Sequence, residues 1–119
     1  MENLSLLERA VLVAIARQVP DYTDVLMHQI TQAKVVARKN TGTGFYTTLD
    51  VSSGDPIRGL SSPIGDVSAT VDHLQHGMEF LLWLKAGRMH QLEGYSYAGE
   101  STSDFDFERV LFGAVGQYI

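Results

Sequence analysis

Hydrophobic residues in the first third of the chain recur at the three- and four-residue spacing that is typical of helices. The first stripe begins just after Ser5, which with Glu8 has the spacing of a capping box: the serine oxygen accepts a hydrogen bond from an early backbone N–H, and the glutamate reaches back to the cap. Pro20 separates this stripe from a second one. We therefore predict two packed helices, with apolar stripes formed by Leu7, Val11, Ala14 and Ile15 and by Tyr22, Leu26, Ile30 and Ala33.

Beyond Ala33 the hydrophobic period changes to two, as in strands with one buried and one wetter face. Residues 34–38, 45–51 and 67–71 alternate in this way, and residues 78–97 hold two further strand patterns on either side of Ala86-Gly87. A glycine at the second position suits a tight hairpin turn because it tolerates positive φ. The turn-rich segment 52–63 is either a lid or a plain connection, and the aromatic residues after 104 predict a short helix or strand docked on the core.

The order of these elements predicts the fold class. Two helices followed by consecutive strands, without βαβ alternation, indicate an α+β protein whose two N-terminal helices pack on an antiparallel sheet of about five strands, with a short C-terminal element. The 119 residues are the size of one ordinary domain, so we predict a single domain over residues 1–119. Hydrophobic residues at 45% and charged residues at 19% are typical of a globular chain and argue against disorder.

Charge and cysteine content exclude several classes of function. With 14 acidic against 9 basic residues the net charge is -5, which disfavours nucleic-acid binding and makes the basic cluster Lys34, Arg38 and Lys39 a solvated strand end. The absence of cysteine excludes disulfides, thiolate nucleophiles and cysteine-ligated zinc. Apolar residues 10–16 are far fewer than the roughly 20 needed to cross a bilayer, so we expect a cytoplasmic protein without a membrane span.

Residues 78–97 carry the most informative candidate site. A two-residue turn at Ala86-Gly87 would place Glu93 on one sheet face with Phe80, Leu82 and Tyr95. A carboxylate among apolar neighbours must be bonded to a donor, have a raised pKa or line a water-filled pocket. The predicted cross-strand pairs are Leu84 with Met89, Leu82 with Gln91, Phe80 with Glu93, and Met78 with Tyr95.

Two interpretations of Glu93 follow. In the first it is a general base or a ligand-binding carboxylate, in a pocket that Tyr95, Tyr97 and Gln91 help to shape. In the second it is a structural acid, bonded to an arginine or facing solvent on an edge strand. The candidate arginines are Arg38 and Arg58.

No other motif in the sequence indicates chemistry. His73 and His76 have an H-x-x-H spacing that Asp72 and His90 could extend, but they fall at a strand end and are more typical of polar turn residues. A G-x-S-x-G signature is absent, so we predict no catalytic residue, no metal and no cofactor.

Two strand motifs carry a family resemblance. Gly44-Phe45-Tyr46-Thr47 and the later Leu92-Glu93-Gly94-Tyr95-Ser96-Tyr97 resemble a group of small bacterial proteins of uncharacterised function that share a G-F-[FY]-T strand and an L-E-G-[FY]-[ST]-[YF] strand. The resemblance implies no activity. It implies that Glu93 and Gly94 belong to a recurring pattern in a bacterial domain.

The functional hypotheses start from the two apolar faces of the predicted hairpin. Leu81 and Trp83 project opposite to Phe80 and Leu82, so a second face needs cover from the C-terminal aromatic residues, a partner subunit or a ligand. The leading hypothesis is a non-enzymatic binding or interaction protein, immunity-type or accessory, that forms a homodimer or holds another protein. The alternative is a small-molecule binder or hydrolase-like enzyme with a sheet-floored pocket containing Glu93.

Overall fold

The computed structural model describes residues 1–117, and Tyr118 and Ile119, the last two residues of the predicted 1–119 domain, lie outside the described residues. Short 3-10 turns precede the second helix and follow the fifth strand. The main elements are helices α1 (Leu6–Arg17) and α2 (Thr23–Gln32) and strands β1 (Lys34–Asn40), β2 (Gly44–Asp50), β3 (Ile64–Val71), β4 (Met78–Lys85), β5 (Arg88–Ser96) and β6 (Phe112–Gln117).

The strands form one antiparallel sheet in the order β1-β2-β5-β4-β3-β6. The predicted α+β class, with two N-terminal helices and an antiparallel sheet, is confirmed. The sheet has six strands where the sequence predicts about five, because the C-terminal element forms an edge strand beside β3. No helix within residues 1–117 is long and apolar enough to span a membrane.

The two helices pack on one face of the sheet, called the inner face. The predicted capping box begins α1: Glu8 N–H donates to Ser5 Oγ at 3.1 Å, and Ser5 N–H donates to Glu8 Oε1 at 2.7 Å. The apolar stripe of α1 is buried against β3, β4 and β6, and α2 reaches β5. The inner face of the sheet contributes Val35, Phe45, Leu49, Val67, Met78, Phe80, Leu82 and Leu92 to the core.

The long connection between β2 and β3 is packed in place. The buried Gln29 side chain on α2 donates to the carbonyl oxygens of Asp55, at 3.3 Å, and Gly87, at 3.0 Å. The backbone N–H of the buried Ile57 also donates to Gly87 O, at 2.7 Å. Of the two alternatives, the structure therefore favours a packed connection that lies against the β4–β5 turn.

The register of the β4–β5 hairpin differs from the predicted one. Leu84 pairs with Met89 as predicted, but beyond Trp83 the register shifts by one residue, so that Phe80 faces Gly94 instead of Glu93. The predicted pairs Leu82–Gln91, Phe80–Glu93 and Met78–Tyr95 are wrong. The cause is a bulge at His90, which is the extra residue on β5, and a one-residue shift turns every later side chain to the other face.

Burial explains why the bulge is favourable. With His90 as the extra residue, both Met89 and Leu92 point into the core, where each is almost fully buried. Without it, Leu92 would face outward and Glu93 would face inward among apolar groups, which is costly for a carboxylate. The bulge thus places Glu93 on the face away from the helices.

Gly94 permits a close approach between the two motif strands. Phe45 on β2 lies directly opposite Gly94 on β5. A Cβ at position 94 would lie 2.6 Å from Phe45 Cε1, 3.0 Å from Met78 Cε and 3.0 Å from Phe80 Cε1. These inner-face side chains therefore occupy the space that a side chain at position 94 would need.

The substitution Gly94→Ala tests this packing. We expect it to destabilise the fold by about 1–3 kcal/mol, because the extra methyl overpacks a filled core. Gly116→Ala is the matched control, since a Cβ there meets no atom within 4 Å. Urea unfolding measures both free energies, and equal losses for the two variants would show that the space around Gly94 is not limiting.

Candidate functional site

Within residues 1–117, neither a helix nor a C-terminal aromatic residue covers the face of the sheet away from the helices. The helices α1 and α2 lie on the inner face, and Phe105 and Phe107 join them there: the Phe107 ring centre lies 4.7 Å from that of the buried Phe45 and 5.6 Å from that of Phe105. These described C-terminal aromatic residues are therefore not the cover that the sequence allowed for the second face. We call this second face the open face; on the three central strands it carries Tyr46, Thr48, Glu79, Leu81, Trp83, Gln91, Glu93 and Tyr95.

Glu93 lies at the centre of the open face, half-buried between two neighbouring strands. It is opposite Tyr46 on β2 and opposite Leu81 on β4. Trp83 Nε1 donates a hydrogen bond to Glu93 Oε1 at 3.1 Å, and the indole is 37% exposed. The second carboxylate oxygen, Oε2, accepts no hydrogen bond from the described residues, and no ion pair among them involves Glu93.

A cleft of about 490 Å³ opens beside Glu93 on this face. The cleft combines aromatic walls with a carboxylate, an amide and basic groups. It is open to solvent along the sheet, so it resembles a shallow binding surface more than an enclosed catalytic pocket. Its lining residues are Tyr46, Trp83, Leu84, Lys85, His90, Gln91 and Glu93.

Tyr95 and Tyr97 turn to a different carboxylate. Their phenol groups donate to the two oxygens of Glu79, which faces Tyr95 across β4 and β5. The hydrogen bond to Glu79 raises the pKa of Tyr95 to about 12, with burial and the negative charges of Glu79 and Glu93 acting in the same direction. Of the four predicted site residues, the structure thus brings Gln91 and Glu93 together in the cleft and places the two tyrosines around Glu79.

Sequence reasoning missed Glu79. The alternation Glu79, Leu81, Trp83 along β4 places all three side chains on one face, and the sequence contains that signal. The sequence does not show that these side chains share a face with Glu93, because a hairpin without the bulge places Glu93 on the opposite face.

Arg38, a predicted partner of Glu93, instead binds a buried glutamate of α1. Glu8 is 3% exposed and accepts hydrogen bonds from Arg38 Nε and Nη2, both at 2.9 Å. Thr47 Oγ1 donates to the same carboxylate at 2.6 Å. Arg38 Nη1 also contacts carboxylate oxygens of Glu2 and Glu108, each at 3.0 Å. The other candidate, Arg58, has no ion pair with Glu93, so the predicted arginine partner of Glu93 is wrong.

The cluster of Glu8 and Arg38 is satisfied on every side. Burial by itself raises the pKa of Glu8, but hydrogen bonds from Arg38, Ser5 and Thr47 outweigh it and hold the pKa below the ordinary value. The hydrogen bond to Glu8 is likewise the main cause that raises the pKa of Arg38. With its acceptors occupied, Glu8 has a structural role.

The histidine pair does not form a ligand cluster. His73 Nε2 lies 3.5 Å from Asp72 Oδ2 with both side chains exposed. The backbone N–H of His76 donates to the Glu100 carboxylate at 2.9 Å, so this turn is organised by its main chain. Among residues 1–117, no group of three His, Asp or Glu side chains is arranged to hold a metal ion.

Models of known protein families, curated proteins and solved structures give no match to this chain. The site is therefore interpreted from its own geometry. In that geometry the two motifs lie directly opposite each other on β2 and β5, with Tyr46 facing Glu93 and Phe45 facing Gly94.

The buried Glu8 generates a first prediction about this region. We expect Glu8→Gln to lower the free energy of unfolding by about 3 kcal/mol at pH 7, because it leaves Arg38 without its main partner. Since the pKa of folded Glu8 lies below its ordinary 4.5, its stabilisation is complete above that pH and is lost as pH falls through the folded pKa. The deficit of the variant should therefore shrink at pH 3.

Urea unfolding at pH 7 and pH 3 measures both effects. Glu108→Gln is the control, because it removes an exposed partner of the same arginine and should cost less than about 1 kcal/mol. Equal costs for the two variants, or a deficit of Glu8→Gln that does not change with pH, would contradict the assignment.

The second prediction concerns the tyrosine next to Glu79. Glu79→Gln replaces the carboxylate that accepts the Tyr95 hydrogen bond, the main cause of the raised pKa, and it also removes the charge, so we expect the pKa of Tyr95 to fall from about 12 toward 10.0. Phenolate absorbance during an alkaline titration measures the change, and Tyr95→Phe identifies the step among the five tyrosines. Glu93→Gln should lower this pKa less, because Glu93 contributes least to the shift. An unchanged titration of Glu79→Gln would disprove the link.

Proposed function

We propose that this chain is a non-enzymatic binding protein, of the immunity or accessory type, that holds a partner protein on the open face. The observation that supports the proposal is the uncovered group of aromatic and acidic side chains around Glu93. The helices, Phe105 and Phe107 lie on the inner face, and Trp83 is 37% exposed on the other. Tryptophan and tyrosine are enriched at protein interfaces, where rigid rings bury large areas at low entropy cost.

The chemistry of the open face favours a partner with basic side chains. Glu93 lies at its centre and Glu79 lies on the neighbouring strand β4, and the chain has a net charge of -5. Acidic groups on this surface steer a basic partner toward it and improve complementarity once it is bound. Because the side chains stand on central strands of a sheet, little ordering is needed on binding.

Of the two partners that the sequence leaves open, another protein fits better than a second copy of this chain. A twofold interface centred on this surface would bring Glu79 and Glu93 of one copy close to the same two acids of the other copy. Like charges brought together in a buried interface are costly unless each is neutralised. The homodimer is therefore the less favoured alternative.

Two further proposals rest on the sequence alone: that the chain belongs to the group of bacterial proteins that its strand motifs resemble, and that it is cytoplasmic.

The small-molecule or hydrolase-like alternative rests on the cleft at Glu93. The free oxygen of Glu93 and the amide of Gln91 give that cleft binding groups. Against catalysis, the cleft is open to water, and Tyr95 and Tyr97 are hydrogen-bonded to Glu79. We therefore propose recognition, and not turnover, at this surface.

A positive charge introduced on the open face tests the proposal. We expect Leu81→Lys to weaken binding of the basic partner about tenfold, because it places next to Glu93 a charge of the same sign as the partner's. The aliphatic stem of lysine can still cover Gly65, over which Leu81 packs, so the fold should be retained. Leu111→Lys is the matched control, since Leu111 is 71% exposed and lies outside the open face.

The measurement has two stages. A partner retained by the immobilised wild-type chain is identified and purified, and its dissociation constant is measured for the wild-type chain, Leu81→Lys and Leu111→Lys by calorimetry. Equal affinity of all three chains would disprove binding at the open face. Sedimentation showing a dimer that Leu81→Lys dissociates would replace the proposed partner by a second copy.

A further inference from the structure

We infer that the cleft beside Glu93 binds an arginine side chain presented by the partner. This inference rests on the proposed function and names the group that the surface recognises. It depends on one carboxylate with an unused oxygen, on two aromatic side chains next to it, and on the way these groups are held by three adjacent strands.

The carboxylate of Glu93 is oriented before any ligand arrives. The indole N–H of Trp83 bonds Oε1 at 3.1 Å, which fixes the rotation of the group on a half-buried side chain. Oε2 accepts no hydrogen bond from residues 1–117 and belongs to a residue that lines the cleft. A donor that enters the cleft therefore binds an acceptor that is already ordered, so little conformational entropy of the Glu93 side chain is lost on binding. A charged donor gains most, because charge-assisted hydrogen bonds are the strong ones.

The aromatic neighbours select the kind of cation. Tyr46 is directly opposite Glu93 on β2. Trp83 lies on β4, two residues along from Leu81, which is the residue opposite Glu93. Both rings line the cleft with the carboxylate. A guanidinium group is planar and weakly hydrated, and it stacks on aromatic rings while it donates to a carboxylate. An ammonium group is a compact, strongly hydrated charge that loses more on leaving water. The arrangement therefore favours arginine over lysine.

Basic residues near the cleft make binding of a cation depend more strongly on the charge of Glu93. Lys85 and His90 line the same cleft, and Lys39 lies opposite Tyr46 on β1. Glu93 is the one carboxylate among the residues that line the cleft, so a cation bound inside the cleft depends mainly on this one charge. Removal of the charge at Glu93 should weaken binding strongly, whereas removal of the charge at Lys85 should strengthen it.

The chain contains its own reporter of this event. Trp83 is the single tryptophan, and its indole is the group that bonds Glu93. The probes are three acetylated and amidated pentapeptides of glycine and serine with a central arginine, lysine or citrulline; citrulline has nearly the shape of arginine without the charge. We expect a saturable change in tryptophan fluorescence with the arginine peptide, a weaker response with lysine and none with citrulline.

Three variants locate the interaction. Glu93→Gln should weaken binding of the arginine peptide about tenfold, as expected for loss of a charge-assisted hydrogen bond. Asp50→Asn is the matched control: Asp50 lies on the same face of β2 opposite Lys34, does not line the cleft and carries the same charge, so affinity should be unchanged. Lys85→Gln should raise the affinity about twofold. Glu93→Gln also alters the hydrogen bond from Trp83, which is the fluorescent reporter. Each titration is therefore repeated by calorimetry.

The results separate this inference from the proposed function. Equal responses to the arginine and citrulline peptides, or equal losses in Glu93→Gln and Asp50→Asn, would overturn the arginine site. If the partner still loses affinity for Leu81→Lys in that case, the open face remains a binding surface. If the arginine peptide binds as expected but no partner distinguishes Leu81→Lys from Leu111→Lys, the cleft stands and the proposed protein-binding role fails.

Discussion

The fold depends most on the buried ion pair between Glu8 and Arg38. A carboxylate that is 3% exposed is tolerable only because Arg38, Thr47 and the capping N–H satisfy it together. These contacts join the start of α1 to β1 and β2, and Arg38 extends them to Glu108 in the C-terminal segment. The helical layer and the C-terminal segment are thereby fastened to the same face of the sheet. Within residues 1–117, the opposite face is left without a covering helix.

What the open face presents is decided by a second constraint, the bulge at His90. One extra residue in β5 lets Met89 and Leu92 both enter the core and sends Glu93 outward, next to Trp83. The same shift sets Phe80 opposite Gly94, where the absence of a side chain makes room for the inner-face rings. Core packing and surface chemistry are therefore settled by the same backbone irregularity, and neither can change without the other.

Local signals in the sequence predicted the elements well. Ser5 and Glu8 form the capping box that their spacing indicates, and Ala86-Gly87 is the hairpin turn, with Leu84 opposite Met89. Such features depend on residues a few positions apart, so the chain itself contains the information. The sequence does not distinguish helix from strand for β6, because the state of this segment depends on pairing with β3, which is distant in sequence.

The candidate site was predicted less well for a related reason. The residues Glu93 and Gln91 do share a cleft, but the face was wrong, since the bulge is a backbone event that alternating hydrophobicity does not specify. The partners of the ionic groups also cannot be predicted from the sequence: Arg38 is hydrogen-bonded to Glu8, which is 30 residues away along the chain. Contacts of that kind depend on the assembled fold.

The two acids of the open face show why one of them is suited to recognition. Glu79 and Glu93 stand on adjacent strands, each bonded to aromatic donors, yet they differ in what remains free. Both oxygens of Glu79 accept hydrogen bonds from phenol groups. Glu93 uses one oxygen for the indole of Trp83, its other oxygen accepts no hydrogen bond from residues 1–117, and its side chain lines the cleft. A fully bonded carboxylate stabilises its own sheet, but one with an unused acceptor gains more from an incoming cation than from water. The open face thus contains both a structural acid, Glu79, and an acid that is proposed to bind an arginine side chain, Glu93.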